Sequence, residues 1–225
     1  MTYLFSYWWL LIPAIVLGII AQNRVRSTYK KYSKVKIQSQ VSGRKIAEYI
    51  LDTHNIGDVK IEPVSGHMTD HYDPRSKTLR LSEGVYRGTS VAAAGIAAHE
   101  AGHAIQHARS YAPLALRNTV HPVASFGSKL GPILVIGGLI LGAYPILIDI
   151  GIILFAFAVV FTLITLPIEF NASKRAVRIL SGTGSLTGGE VEGAKKVLSA
   201  AAMTYVASAL ASILTLLRLV LLSRR

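Results

Sequence analysis

Four apolar runs decide most of what this chain can fold into. Residues 4–21, 130–148, 150–166 and 200–222 are each close to the roughly 20 residues a helix needs to cross the hydrocarbon layer of a bilayer. The first three runs hold no charged residue, and Asp149 separates the second from the third. In hydrocarbon every backbone N–H and C=O must be paired within its own segment, so such runs are read as helices. Composition agrees: hydrophobic residues make up 51% of the chain and charged ones 16%, against roughly 25% charged in soluble domains. Tyr3, Tyr7, Trp8 and Trp9 form an interfacial aromatic belt at one end of the first run, which ends at Arg24. No basic stretch precedes that run and no small-residue cleavage pattern follows it, so it reads as a retained anchor. The second and third runs read as a hairpin turning around Tyr144, Pro145 and Asp149. The fourth contains Tyr205 and, near its end, Arg218; it reads as a span whose arginine snorkels, with a membrane-packed amphipathic helix as the other option.

The cations orient these spans. Of the 24 Lys and Arg, 16 lie from Arg24 to Lys129 and five from Lys174 to Lys196, with none before the first run or in the hairpin turn. Positive residues stay inside, so residues 24–128 and 169–199 are expected in the cytoplasm of a multi-pass plasma-membrane protein, with the hairpin tip outside. A net charge of +12 could also suit nucleic acid. Its concentration beside the spans is better explained by topology and anionic lipid, and nucleic-acid binding is not expected. The absence of cysteine excludes disulfides and a thiolate nucleophile.

Chemistry concentrates in HEAGH at 99–103. On a helix, positions i and i+4 share a face, so His99 and His103 can offer two imidazole nitrogens to one metal ion. Glu100, one position on, is placed to take a proton from a water held there, the arrangement of zinc-assisted peptide hydrolysis. Ser90 is a plausible N-cap for the Ala-rich stretch that leads into the motif. Gly102 costs that helix roughly 1 kcal/mol relative to Ala, which points to close approach of another element. A third ligand must come from elsewhere. Glu169, directly after the third run and Pro167, fits best; its alternative is a plain ion pair with Lys174 or Arg175. His107 shares the helical face but lies two turns, about 12 Å, beyond His99, too far for one zinc, and reads as an interfacial or ligand-supporting residue.

The stretch between the first run and the hairpin is the one sizeable hydrophilic portion. A helix is expected over 42–52 with Ile46, Ala47, Ile50 and Leu51 on its apolar side, and strands over 59–61 and 78–81 around a turn at 70–76. An exposed edge at 78–82 would pair with an extended substrate, a plain hairpin being the other reading. His71 and Tyr72 in the turn are candidate donors to a developing oxyanion. The expected division is an anchor (1–23), a zincin-like portion (24–128), a hairpin (129–168), a segment supplying the third ligand (169–199) and a last helix (200–225). The expected class is thus a mainly α membrane protein of about four transmembrane helices with a small α+β zincin-like portion.

The segments TDHYDP (69–74), LSEG (81–84), SVAA (90–93), AAHEAGHAIQH (97–107), LPIEFNAS (166–173) and AMTYVASA (202–209) together resemble the YugP-like membrane zinc metallopeptidases and, more distantly, the HtpX-type gluzincins. The resemblance covers nearly the whole chain. It implies one Zn(2+) per chain held by His99, His103 and Glu169, with Glu100 as general base. The HtpX-type pattern Glu-x-x-x-Asp has Ser173 at its last position here, with Asn171 nearby, so a neutral partner stands where a carboxylate would orient a ligand. The function expected is a membrane-embedded zinc endopeptidase acting on peptides or proteins, membrane proteins among them, at the cytoplasmic face. A non-catalytic metal-binding scaffold or a metal transporter is the rival; a transport pathway would need ionisable residues within several spans, and only Asp149 and Arg218 are present.

Overall fold

A computed structural model describes residues 6–142 and 144–224. Four of its helices are long and apolar enough to cross a membrane: Trp8–Tyr32, Ala112–Ile140, Pro145–Gly182 and Gly188–Ser223. The first opens with a 3-10 turn at Trp8–Leu11 and continues as α1, Ile12–Tyr32. Tyr3 and Leu4, at the expected start of the first run, lie outside the described residues. The helix does not stop at Arg24. Its polar continuation is made of residues a helix tolerates in water, and Thr28 folds its hydroxyl back to the Arg24 carbonyl at 2.5 Å.

The chain divides into two compact units. One takes in Ala112–Pro167 together with the chain up to Ala21 and from Met203 onward. It is built from α5, Ala112–Ile140, and the apolar parts of α1, of α6, Pro145–Gly182, and of α7, Gly188–Ser223. The hairpin turn is shorter and earlier than its sequence suggests. Gly142, at φ +99°, breaks the helix; Pro145 then starts α6, where its missing N–H has no partner to lose. Asp149 accordingly sits inside α6 and not in the turn. The arms meet through glycine: a Cβ on Gly131 would stand 2.8 Å from the Gly151 carbonyl oxygen, and one on Gly151 2.6 Å from that of Gly131. Val135, Ile148, Phe155 and Leu219 fill the core beside this contact.

The other unit comprises Gln22–Tyr111 and Ile168–Ala202. Its α2, Gly43–Thr53, is capped by Ser42 and buries Ile46, Ala47, Ile50 and Leu51, the face expected from their spacing. Three strands follow, β1 (Lys60–Val64), β2 (His71–Asp73) and β3 (Thr78–Ser82), in the order β1-β3-β2. The segment read as a turn therefore contains a strand. Because β1 runs parallel to β3, the two expected strands form no hairpin; β2 makes the antiparallel pair with β3. The expected free edge at 78–82 is absent, since β3 is paired on both sides and Thr78, Leu79, Leu81 and Ser82 are buried. The open edges belong to β1 and β2. Asp70 stitches the preceding loop to the end of β3, accepting from the Ser82 N–H at 2.7 Å and from its hydroxyl at 3.0 Å. Burial pushes the Asp70 carboxyl up, and these bonds from Ser82 oppose it.

After a single turn, α3 (Glu83–Tyr86), comes α4, Val91–Ala108. Its Ala-rich first half is buried on all sides, which only small side chains allow. Ser90 caps it, accepting from the Ala93 N–H at 3.2 Å. The helix ends without glycine: Ser110 takes φ 49° and Tyr111 N–H closes on the Gln106 carbonyl at 2.9 Å. Since the cap orients this central helix, Ser90→Ala should cost about 1 kcal/mol, and Ser90→Asp should restore it. Thermal melting of the purified protein checks this; a drop of about 2–4 °C is expected, and an unchanged midpoint in Ser90→Ala would show that the cap carries no stability.

Candidate metal centre

One turn of α4 and one turn of α6 bring three ligand-type side chains to a point. The His99 and His103 Nε2 atoms lie 3.2 Å apart, and Glu169 Oε2 lies 3.3 Å from the first and 3.6 Å from the second. With zinc bonds of about 2.0–2.1 Å, neighbouring ligands of a tetrahedral site stand about 3.3 Å apart. These are the separations seen. Among the described residues this is the one cluster of three His, Cys, Asp or Glu side chains able to hold an ion.

Hydrogen bonds behind the imidazoles fix where their lone pairs point. The Gln106 amide donates to the Ile168 carbonyl at 2.8 Å and to Asn171 Oδ1 at 3.1 Å, which leaves its Oε1 to accept from His103 Nδ1 at 3.0 Å. His103 thus carries its proton on Nδ1 and its lone pair on Nε2, toward the cluster. Ser173 Oγ stands 3.2 Å from His99 Nδ1 and can do the same for that ring. Asn171 is itself held by the Arg175 guanidinium at 2.7 Å. Two lone pairs and a carboxylate then face one another. Glu169 Oε2 is fully buried and has no hydrogen-bond partner among the described residues, a costly state unless a cation completes it. Burial pulls the His103 imidazole down, yet the adjoining Glu169 carboxylate and the Glu100 charge raise it above its usual value. The pocket attracts positive charge, and its nitrogen and oxygen donor set suits zinc.

Close approach of the two helices depends on Gly102. A Cβ there would sit 3.0 Å from the Ala172 carbonyl oxygen, so any larger residue pushes α6 away and takes Glu169 with it. Glu100 is 8% exposed, and among the described residues it has no hydrogen-bonding protein partner. A carboxylate this buried keeps its oxygens available for a small polar molecule at the site.

The remaining sequence candidates fall outside the cluster. His107 pairs instead with Tyr72, Nδ1 to hydroxyl at 2.9 Å, which ties β2 to the last turn of α4. Burial first, then the charges of Asp58 and Asp73, push the Tyr72 hydroxyl up to about 12, so it stays protonated. His71 is exposed and bonds the Thr69 carbonyl at 2.8 Å. Gln106 was not singled out from sequence. Its signal is physical: a glutamine on the motif helix at 0% exposure needs every hydrogen bond it can make.

Comparison with known proteins decides the family. A family model described as "putative neutral zinc metallopeptidase" matches residues 7–224. The chain belongs to that family. The chain is similar to the "Putative membrane protease YugP" of Bacillus subtilis (strain 168), 50% identical over 213 residues, which is 95% of this chain and 94% of the relative. No solved structure matches. Match and relative extend over the spans as well as the metal centre, and the protein is an integral membrane member of the family.

The geometry predicts an order of zinc contents in the purified protein. Glu169→Ala should lose most of its zinc, Gln106→Leu should bind it about 10–100-fold more weakly, and His107→Ala should keep it. Elemental analysis in detergent reads all three. Zinc kept by Glu169→Ala and lost by His107→Ala would reverse the ligand assignment.

Proposed function

We propose that the protein is a zinc-dependent endopeptidase with one metal ion per chain, held by His99, His103 and Glu169, that cleaves peptide or protein substrates at the cytoplasmic face of the plasma membrane. The observation that carries the reading is the convergence of two half-buried imidazoles and one buried carboxylate at tetrahedral spacing, beside a second carboxylate, Glu100, without a protein partner among the described residues. A bound zinc ion supplies Lewis acidity, lowering the pKa of water toward about 7 and polarising a carbonyl. Glu100 accepts the proton of the attacking water and returns it to the leaving amine as the C–N bond breaks. Gln106 and Ser173 hold the imidazoles in the tautomer that leaves Nε2 open. The open edge of β2 offers backbone groups to an extended substrate. Tyr72, on that strand and always protonated, is the better donor candidate for a developing oxyanion than the exposed His71.

The membrane location of the substrates is supported by chain continuity. Glu169 follows Pro167 by two residues on the same helix that forms the third apolar run, so a peptide bond cleaved here lies close along α6 to the bilayer. The distribution of Lys and Arg supports the cytoplasmic side.

Two measurements test the reading. Glu100→Gln should retain zinc while peptidase activity falls by orders of magnitude; activity unchanged in metal-defined buffer would remove Glu100 as the base. Because the chain has no cysteine, single labels report topology cleanly. In intact cells Tyr144→Cys should react with an impermeant maleimide and Ser65→Cys only after permeabilisation, and the opposite pattern would overturn the orientation.

A further inference from the structure

We propose that a cleft between residues 24–32 of α1 and 192–199 of α7 binds the phosphate of an anionic phospholipid headgroup. The cleft has a volume of about 430 Å³, with Arg24 and Lys31 contributed by α1 and Lys195 and Lys196 by α7. That size falls within the range of small-ligand sites, about 300–1,000 Å³. Gly193 lies beside the cleft, where α7 packs against the Tyr32 ring of α1. A Cβ at that position would come within 2.7 Å of the Tyr32 ring, so only glycine lets the two helices close on each other and hold their cations around one space. The carboxylate on the lining, Glu192, is engaged by Lys195 at 3.3 Å. The balance left in the cleft is strongly positive. Lysine ammonium groups supply point charges, and the guanidinium of Arg24 supplies the planar fork that suits phosphate oxygens.

Its place along the two helices identifies the source of the phosphate. Arg24 lies three residues past Ala21, the end of the first apolar run, and Lys196 lies four before Ala200, the start of the last. At 1.5 Å per residue Arg24, Lys195 and Lys196 stand about 5–8 Å from the apolar stretches of their own helices, the depth at which headgroup phosphates lie, while Lys31 stands about 15 Å out, on the water side of the cleft. A freely diffusing phosphate would need no such placement.

The test uses the full chain in neutral detergent with phosphatidylglycerol, phosphatidylcholine or inorganic phosphate added, bound molecules being counted by native mass spectrometry. Phosphatidylglycerol should be retained at least about tenfold better than phosphatidylcholine. Each cation removed should cost about fivefold, the equivalent of about 1 kcal/mol, so Lys195→Gln with Lys196→Gln lowers retention about 25-fold and Arg24→Gln about fivefold. Lys30→Gln with Lys34→Gln removes the same charge outside the cleft and should change retention less than about threefold. Equal losses for the two pairs would assign binding to diffuse surface charge and overturn the site. Equal retention of phosphatidylcholine, or displacement of phosphatidylglycerol by an equal concentration of inorganic phosphate, would overturn the lipid assignment.

Discussion

Glu169 Oε2 is fully buried, lies within 3.6 Å of two imidazole nitrogens and has no hydrogen bond among the described residues. Burying a carboxylate oxygen in that state is costly unless something positive completes it. Much of the surrounding unit serves to hold it there. Gly102 brings α6 against α4. Gln106, at 0% exposure, spans the same two helices through the Ile168 carbonyl and Asn171 while fixing the His103 ring. The Ala-rich first half of α4 lets neighbouring elements pack tightly around the helix that carries both histidines.

The parts of this arrangement that sequence displays are those with a period or a fixed spacing. His99 and His103 fall on one face because a helix repeats every 3.6 residues, and the apolar runs declare themselves by length alone. Glu169 was legible as a carboxylate placed where solvent decoration explains it poorly, and the structure brings it to the two histidines. The unexplained Gly102 correctly marked a close approach. The supporting residues were not equally visible. Gln106 looks like any polar helix residue until its burial is known, and Ser173 was noticed only as a departure from a family pattern.

The strands were the least legible, for a definite reason. β2 has three residues inside a turn-rich stretch, too short for alternation to show, and it exists because β3 offers it a partner. Parallel pairing of β1 with β3 is a property of the path between them, which no local pattern carries. Helix ends carried little sequence signal either. α4 stops at a serine in the left-handed region where a glycine would have announced the end, and α1 runs past Arg24 because charged residues are good helix formers outside the apolar layer.

The central claim is that two imidazole nitrogens and one carboxylate oxygen close on a single zinc ion. X-ray absorption at the zinc edge, on the purified full-length protein with its metal content measured in parallel, addresses it most directly. The account predicts one zinc per chain in a four-coordinate shell of nitrogen and oxygen at about 2.0–2.1 Å, with scattering from two imidazole rings. Three rings, a six-coordinate oxygen shell, or no stoichiometric zinc would contradict it.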